Sequence, residues 1–262
     1  MNKSVLASIT CLTALSGVTS SASAATTTIP PVEWGQGVSE VLTWNGTGYE
    51  WVSNPVTGPG TVKTSAPGGT SAVSATLTPS PSLSAAASVF ATNFYPDARS
   101  SLILKYYIEI VGPNGLAPLT VQASGWADTV GPNTGSYASL TLSIPANPVF
   151  VAASQSGRAE QGFSESFSVD TSFATPTNTP FAVQMTVNAI AQTYTQLGVK
   201  NSASAYVDPV FSVPDGYTLL FSEGVGNEAF SAPSPSPGSG LLGLVFFVIV
   251  GTLAKARGVF AE

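Results

Sequence analysis

Histidine is absent from all 262 residues of this chain. That absence removes the usual general base, the Ser-His-Asp arrangement and imidazole metal ligands together. Cysteine occurs once, as Cys11, inside a segment that reads as a cleavable leader. The mature chain is therefore expected to hold no disulfide, no thiol nucleophile and no thiolate metal site. Charge is also scarce, at 8% Asp, Glu, Lys and Arg against about 25% in ordinary soluble domains. Between residues 25 and 230, Lys63, Arg99, Lys105, Arg158 and Lys200 face thirteen acidic residues, a net charge of −8. Such a surface cannot neutralise phosphates, which argues against nucleic acid as a partner. Neutral glycans and cations are compatible with it.

What is present is concentrated first at the two ends. Lys3, an apolar stretch over 5–18 and the Ala22-Ser23-Ala24 site make residues 1–24 a secretory signal peptide, with cleavage expected after Ala24. Residues 231–240 form a Pro/Ser/Gly-rich hinge. Residues 241–254 carry no charge, and Lys255 and Arg257 follow within a 241–262 segment. The apolar run is expected to be a single C-terminal transmembrane helix. At 1.5 Å per residue it spans only ~21 Å of a ~30 Å hydrocarbon layer, so residues from 238 to 256 and the snorkelling of both cations complete the crossing. Basic residues after the run keep it cytoplasmic and leave the rest outside. A buried helix packed on the domain and a lipid-anchor signal are the alternatives; the proline-rich hinge and the basic tail favour a membrane anchor.

Pro235-Ser236-Pro237, the apolar run and Lys255/Arg257 resemble the tripartite PEP-CTERM sorting signal of exported Gram-negative proteins, with Ser236 where that family usually has Glu. The resemblance implies processing by an exosortase. It also implies anchorage in the cytoplasmic membrane facing the periplasm, or release to the cell surface or extracellular matrix after processing. Two further stretches are similar to cargo domains of the same family. One is the strand and turn over 104–113; the other is the closing segment over 203–211 and 216–227. No catalytic residue comes with that resemblance.

Residues 25–230 are long enough for one all-β domain with its own core. Short strands are expected at 38–44, 49–52, 71–78, 83–91, 102–110, 119–124, 137–144, 163–169, 181–191, 198–207 and 217–222. Asn45-Gly46-Thr47-Gly48 is expected to turn a hairpin, and the Pro- and Gly-rich stretch over 55–69 reads as loop. In the clearest strand Leu102, Leu104, Tyr106, Ile108 and Ile110 form one face, while Ile103, Lys105, Tyr107 and Glu109 form the other. The pattern predicts an antiparallel β-sandwich or jelly roll.

Candidate sites are few. Trp34, Trp44 and Trp51 cluster near Tyr49, and Trp126 stands apart. Aromatic faces stack on sugars in many secreted β-sandwiches, but tryptophan also fills cores, and the strand positions of Trp44 and Trp51 favour the core. Asp208, Asp215, Glu223 and Asn227 could supply oxygen ligands to calcium, yet no D-x-[DN]-x-[DN]-G loop is present and turn chemistry accounts for them. Neither a metal nor another cofactor is expected. Glu160 and Glu165 could be imagined as a glycosidase pair without anything fixing their separation. Gly162-Phe163-Ser164-Glu165-Ser166 misses the nucleophile-elbow pattern at its last residue. The sequence thus predicts a non-enzymatic, exported structural protein of the membrane, surface or matrix. Its alternative is a secreted carbohydrate-binding module, calcium-stabilised or not, with exopolysaccharide as partner.

Overall fold

The computed structural model describes residues 28–91, 94–145, 148–157, 162–193 and 198–227. The signal peptide with Ala22 and Ala24, the hinge with Pro235, Ser236 and Pro237, and the apolar tail with Lys255 and Arg257 lie outside the described residues. So do Arg158 and Glu160. Among the described residues no helix is long and apolar enough to cross a membrane.

Fourteen strands are described: β1 (Glu33–Trp34), β2 (Val38–Trp44), β3 (Tyr49–Pro55), β4 (Gly60–Ala66), β5 (Gly69–Thr76), β6 (Ser82–Phe90), β7 (Asp97–Val111), β8 (Leu116–Val130), β9 (Thr134–Ser143), β10 (Val149–Gly157), β11 (Gly162–Pro176), β12 (Phe181–Gln192), β13 (Lys200–Ser212) and β14 (Thr218–Phe221). They form two antiparallel sheets. The first runs β10-β9-β12-β7-β2-β3, and the second runs β11-β8-β13-β6-β5-β4. One long edge of β7 carries three short partners in succession: β2 at residues 97–101, β1 at 104–105 and β14 at 108–111. The chain crosses between the sheets at most of its later connections, so the two inner faces close one continuous core.

Alternation explains that core. Leu102, Leu104, Tyr106, Ile108 and Ile110 are all fully buried on the inner face of β7, as expected from their period of two. Phe181, Val183, Met185 and Val187 of β12 join them. The facing sheet presents mostly small residues, among them Ala85, Ala87, Ala123, Ala127, Ala203 and Ala205. Large side chains on one sheet thus seat into the low relief of the other, the interdigitation that a packed sandwich requires. Gly125 continues the pattern, because the Phe167 ring of β11 occupies the place a side chain would take there.

Two expectations fail in the fold. The 55–69 stretch is not all loop: β4 fills residues 60–66. Its prolines and glycines lie at or beyond its ends, while Val62 and Thr64 alternate inward in an ordinary strand pattern. β10 occupies 149–157, where no strand is expected, and pairs along its full length with β9.

The lateral openings of the sandwich are clipped by side chains. On one side Asn54 Nδ2 of β3 donates to Thr64 Oγ1 of β4 at 2.9 Å. On the other, the Ser154 amide of β10 donates to Glu165 Oε2 of β11 at 3.1 Å. Each clip links the edge strands of the two sheets, where unpaired backbone groups would otherwise meet solvent.

Candidate functional site

The β2–β3 hairpin carries the site. Its turn is built by Asn45, whose Oδ1 accepts from the amides of Thr47 and Gly48 at 3.0 Å each, while Gly46 takes a positive φ of 98°. This is the local bonding by which asparagine favours turns. The turn sets the register that follows: Trp44 pairs with Tyr49, Leu42 with Trp51 and Glu40 with Ser53. Directly paired residues of an antiparallel ladder share a face, so these six side chains lie on one side of the sheet.

That side faces outward. On β2 the buried residues are Ser39, Val41 and Thr43, the more polar of the strand's two sets. Their hydroxyls are satisfied by the opposing sheet. Ser39 Oγ and Ser71 Oγ are 2.6 Å apart, and Thr43 Oγ1 donates to the Pro67 carbonyl at 3.1 Å. With those polar groups bonded inside, Trp44, Leu42 and Glu40 are turned outward. The placement of Trp44 and Trp51 in the core is therefore corrected. They are 43% and 42% exposed, next to Tyr49 at 47% and Tyr95 at 40%.

The rings do not form a flat strip. Trp44 and Tyr49 meet edge to face, with centroids 5.3 Å apart and planes 71° apart. The backbone amide of Tyr95 donates to Tyr49 Oη at 3.3 Å, which helps fix the Tyr49 ring. The Arg99 guanidinium lies over the Trp51 ring, 4.9 Å from its centroid. Arg99 is itself held by Asp97, with Nη2 at 2.6 Å and Nε at 3.1 Å from Oδ2. Gln192 Nε2 donates to the same oxygen at 2.7 Å. The result is an exposed aromatic corner beside a fixed polar cluster of Asp97, Arg99 and Gln192.

Trp34 and Trp126 are elsewhere. Trp34 pairs with Leu104 on the inner face and packs against the core. Trp126 lies on the outer face of the second sheet, stacked on Tyr206 with centroids 6.1 Å apart and planes 24° apart. Tyr206 Oη donates to Asp208 Oδ2 at 3.1 Å, and Ser80 Oγ donates to Oδ1 at 3.2 Å. Burial pushes the Asp208 carboxyl above its ordinary value, against the lowering effect of these two donors. It also pushes the Tyr206 hydroxyl up, with the Asp208 charge adding to the effect. Beside this network an open groove of about 310 Å³ is lined by Gln122, Ser124, Ser168, Asp170, Asp208 and Val210.

The other candidates disperse. Asn227 is spent on Phe211, donating to its carbonyl at 2.6 Å and accepting from its amide at 2.9 Å. Asp208 belongs to the Tyr206–Ser80 network instead. Among the described residues, no three His, Cys, Asp or Glu side chains gather to hold a metal. Glu165 serves the β10–β11 clip, and its imagined partner Glu160 lies outside the described residues. Tyr95, Asp97, Arg99 and Gln192 were not singled out in the sequence. Asp97 and Arg99 belong to β7 and Gln192 ends β12, so only strand pairing brings them to the hairpin; Tyr95 just precedes β7.

These features define an all-β, two-sheet antiparallel sandwich with an outward aromatic corner on one sheet. No protein-family model matches the chain, and no curated protein does. Solved structures give distant similarity. One is TmCBM61 in complex with β-1,4-galactotriose, at 14% identity and a TM-score of 0.19, covering 52% of this chain and 70% of that one. Another comes from work on the promiscuous specificity of carbohydrate-binding modules of the β-sandwich superfamily, at 12% identity and a TM-score of 0.21, covering 72% and 75%. A third is the enzymatically active domain of tailspike protein 4 from bacteriophage CBA120, at 10% identity and a TM-score of 0.21. That alignment takes in 69% of this chain but only 19% of the tailspike chain. At such scores the similarities carry no argument about function.

Proposed function

We propose that the chain is an exported β-sandwich that binds glycans through the aromatic corner of its β2–β3 hairpin. The single observation that carries this reading is the exposure of Trp44, Tyr49 and Trp51 together on one outward face, with the exposed Tyr95 joined to Tyr49 through its amide. Large aromatic rings left in solvent forgo the burial that normally stabilises them. Their clustering beside oriented polar groups is the composition of a ligand site. Pyranose rings present C–H faces that stack on indole and phenol, and hydroxyls that exchange hydrogen bonds with the part-exposed Arg99 and Gln192, which the buried Asp97 holds in place. The surrounding charge suits this ligand, since the net −8 of residues 25–230 offers nothing to a polyanion.

The proposal includes export by residues 1–24 and retention by the apolar 241–262 segment, with exosortase processing at Pro235-Ser236-Pro237. These parts rest on the sequence and on its resemblance to the PEP-CTERM signal. A membrane- or matrix-held protein that grips polysaccharide joins the structural role to the binding role. The activity proposed is binding without turnover.

The test is a glycan-array screen with the full-length chain and its Trp51→Ala variant. Retained glycans that the variant loses support the reading. An array on which the wild type retains nothing, or on which both proteins behave alike, would overturn it. Export and retention are tested separately, by fractionating cells that express the full chain. Recovery of the domain in the cytoplasm contradicts them.

A further inference from the structure

Resting on the glycan-binding reading, we infer that the corner takes the end of a neutral glycan chain, and neither a long internal stretch, a crystalline polysaccharide surface nor an acidic polymer. The shape comes first. A chain lying along a surface, or a crystal face, needs several rings in one plane at successive sugar positions. Here Trp44 and Tyr49 stand 71° apart, so a sugar stacked on one ring meets the edge of the other as a wall. Tyr49 is fixed in that attitude by the Tyr95 amide. Trp51 cannot extend a strip on both of its faces either, because the Arg99 guanidinium covers one of them. Two walls at a steep angle hold one or two sugar units and offer little to a third.

Charge supplies the second part. The cation at this corner, Arg99, pairs along the ladder with Glu40 and is ion-paired to Asp97. Two carboxylates therefore accompany one guanidinium beside the rings. An acidic polysaccharide would bring its charge against that excess and against the net −8 of the domain. A neutral chain end has hydroxyls for the polar cluster and no such penalty.

The experiment is calorimetric titration of the full-length chain with neutral gluco-, manno- and galacto-configured oligosaccharides from di- to hexasaccharide. Pull-down on microcrystalline cellulose and chitin and titration with oligogalacturonate accompany it. For whichever neutral series binds, affinity should differ by no more than about threefold between trimer and hexamer, since added units find no further ring. The crystalline solids and the uronate should not retain the protein. Trp44→Leu, which keeps apolar bulk but removes the ring plane, should weaken binding about tenfold or more. Trp126→Phe, on the other sheet, should leave it unchanged. Affinity that climbs steadily with chain length, retention on the solids, preference for the uronate, or an unaffected Trp44→Leu variant overturns this inference while leaving glycan binding intact. Absence of binding to every glycan tried overturns both, and the array screen then fails as well. Circular-dichroism melts of both variants separate a lost site from a lost fold.

Discussion

Trp44 and Tyr49 face each other across the β2–β3 hairpin, their ring centroids 5.3 Å apart and their planes at 71°. The pair stands next to the Asn45 turn that sets its register. Outward placement depends on the opposite face of β2, where Ser39 and Thr43 bond into the second sheet. Site and core are therefore two sides of the same seven residues of β2.

The core strand gives the sharpest stability contrast. Leu104 is fully buried between the sheets, and Leu104→Ala should cost about 2–5 kcal/mol. Lys105, one position on, points outward to Glu33 with Nζ 3.1 Å from Oε2. Exposed ion pairs contribute little, so Lys105→Ala should leave the melting temperature nearly where it was. Equal shifts in thermal denaturation would contradict the register of β7.

A second contrast concerns glycine. A Cβ at Gly125 would run into the Phe167 ring and sit 2.9 Å from the Tyr206 carbonyl oxygen, a backbone atom held by the ladder. Gly125→Ala should therefore destabilise by about 1–3 kcal/mol, the usual cost of overpacking. A Cβ at Gly48 would meet nothing within 4 Å, and Gly48→Ala should be tolerated. Denaturant midpoints of the two variants check this, and comparable losses would contradict the seating of Phe167.

The pH dependence should split by residue. Asp208 is only 5% exposed, and burial raises its carboxyl above the ordinary value of 3.8. Its contribution to stability is therefore fully present below that value and lost as pH rises through the raised one. Glu33 behaves oppositely. The hydrogen bond from Tyr107, at 2.6 Å, and that from Lys105 lower its carboxyl below 4.5, so its contribution is present above that value and lost as pH falls through the lowered one. Relative to wild type, Asp208→Asn should compare best at neutral pH and worse as acid is added, while Glu33→Gln should show the reverse trend. Parallel melting curves for both variants across the acidic range would contradict the assignment.

Much of the fold was legible because most strands obey simple alternation. On β7 the inward residues from Leu102 to Ile110 are all apolar and large, so periodicity locates the core there, although Ala98 and Ser100 continue the same face. β2 is different: its inward set is Ser39, Val41 and Thr43, and its outward set includes Leu42 and Trp44. Read locally, the apolar residues belong inside. What reverses them are hydroxyl partners at Ser71 and Pro67, 32 and 24 residues away, which no local period reveals. The polar half of the site was hidden for the same reason, because Asp97 and Gln192 meet across 95 residues. β4 was obscured by the prolines and glycines at its ends.

The most direct test of the account follows the four indole N–H resonances of the full-length, 15N-labelled chain as a neutral oligosaccharide from the array is added. Binding at the corner should shift the signals of Trp44 and Trp51, assigned by Trp→Phe substitution, while those of Trp34 in the core and Trp126 on the opposite sheet stay in place. Shifts confined to Trp126, or saturation of the glycan with all four indoles unmoved, would contradict the assignment of the hairpin corner as the binding site.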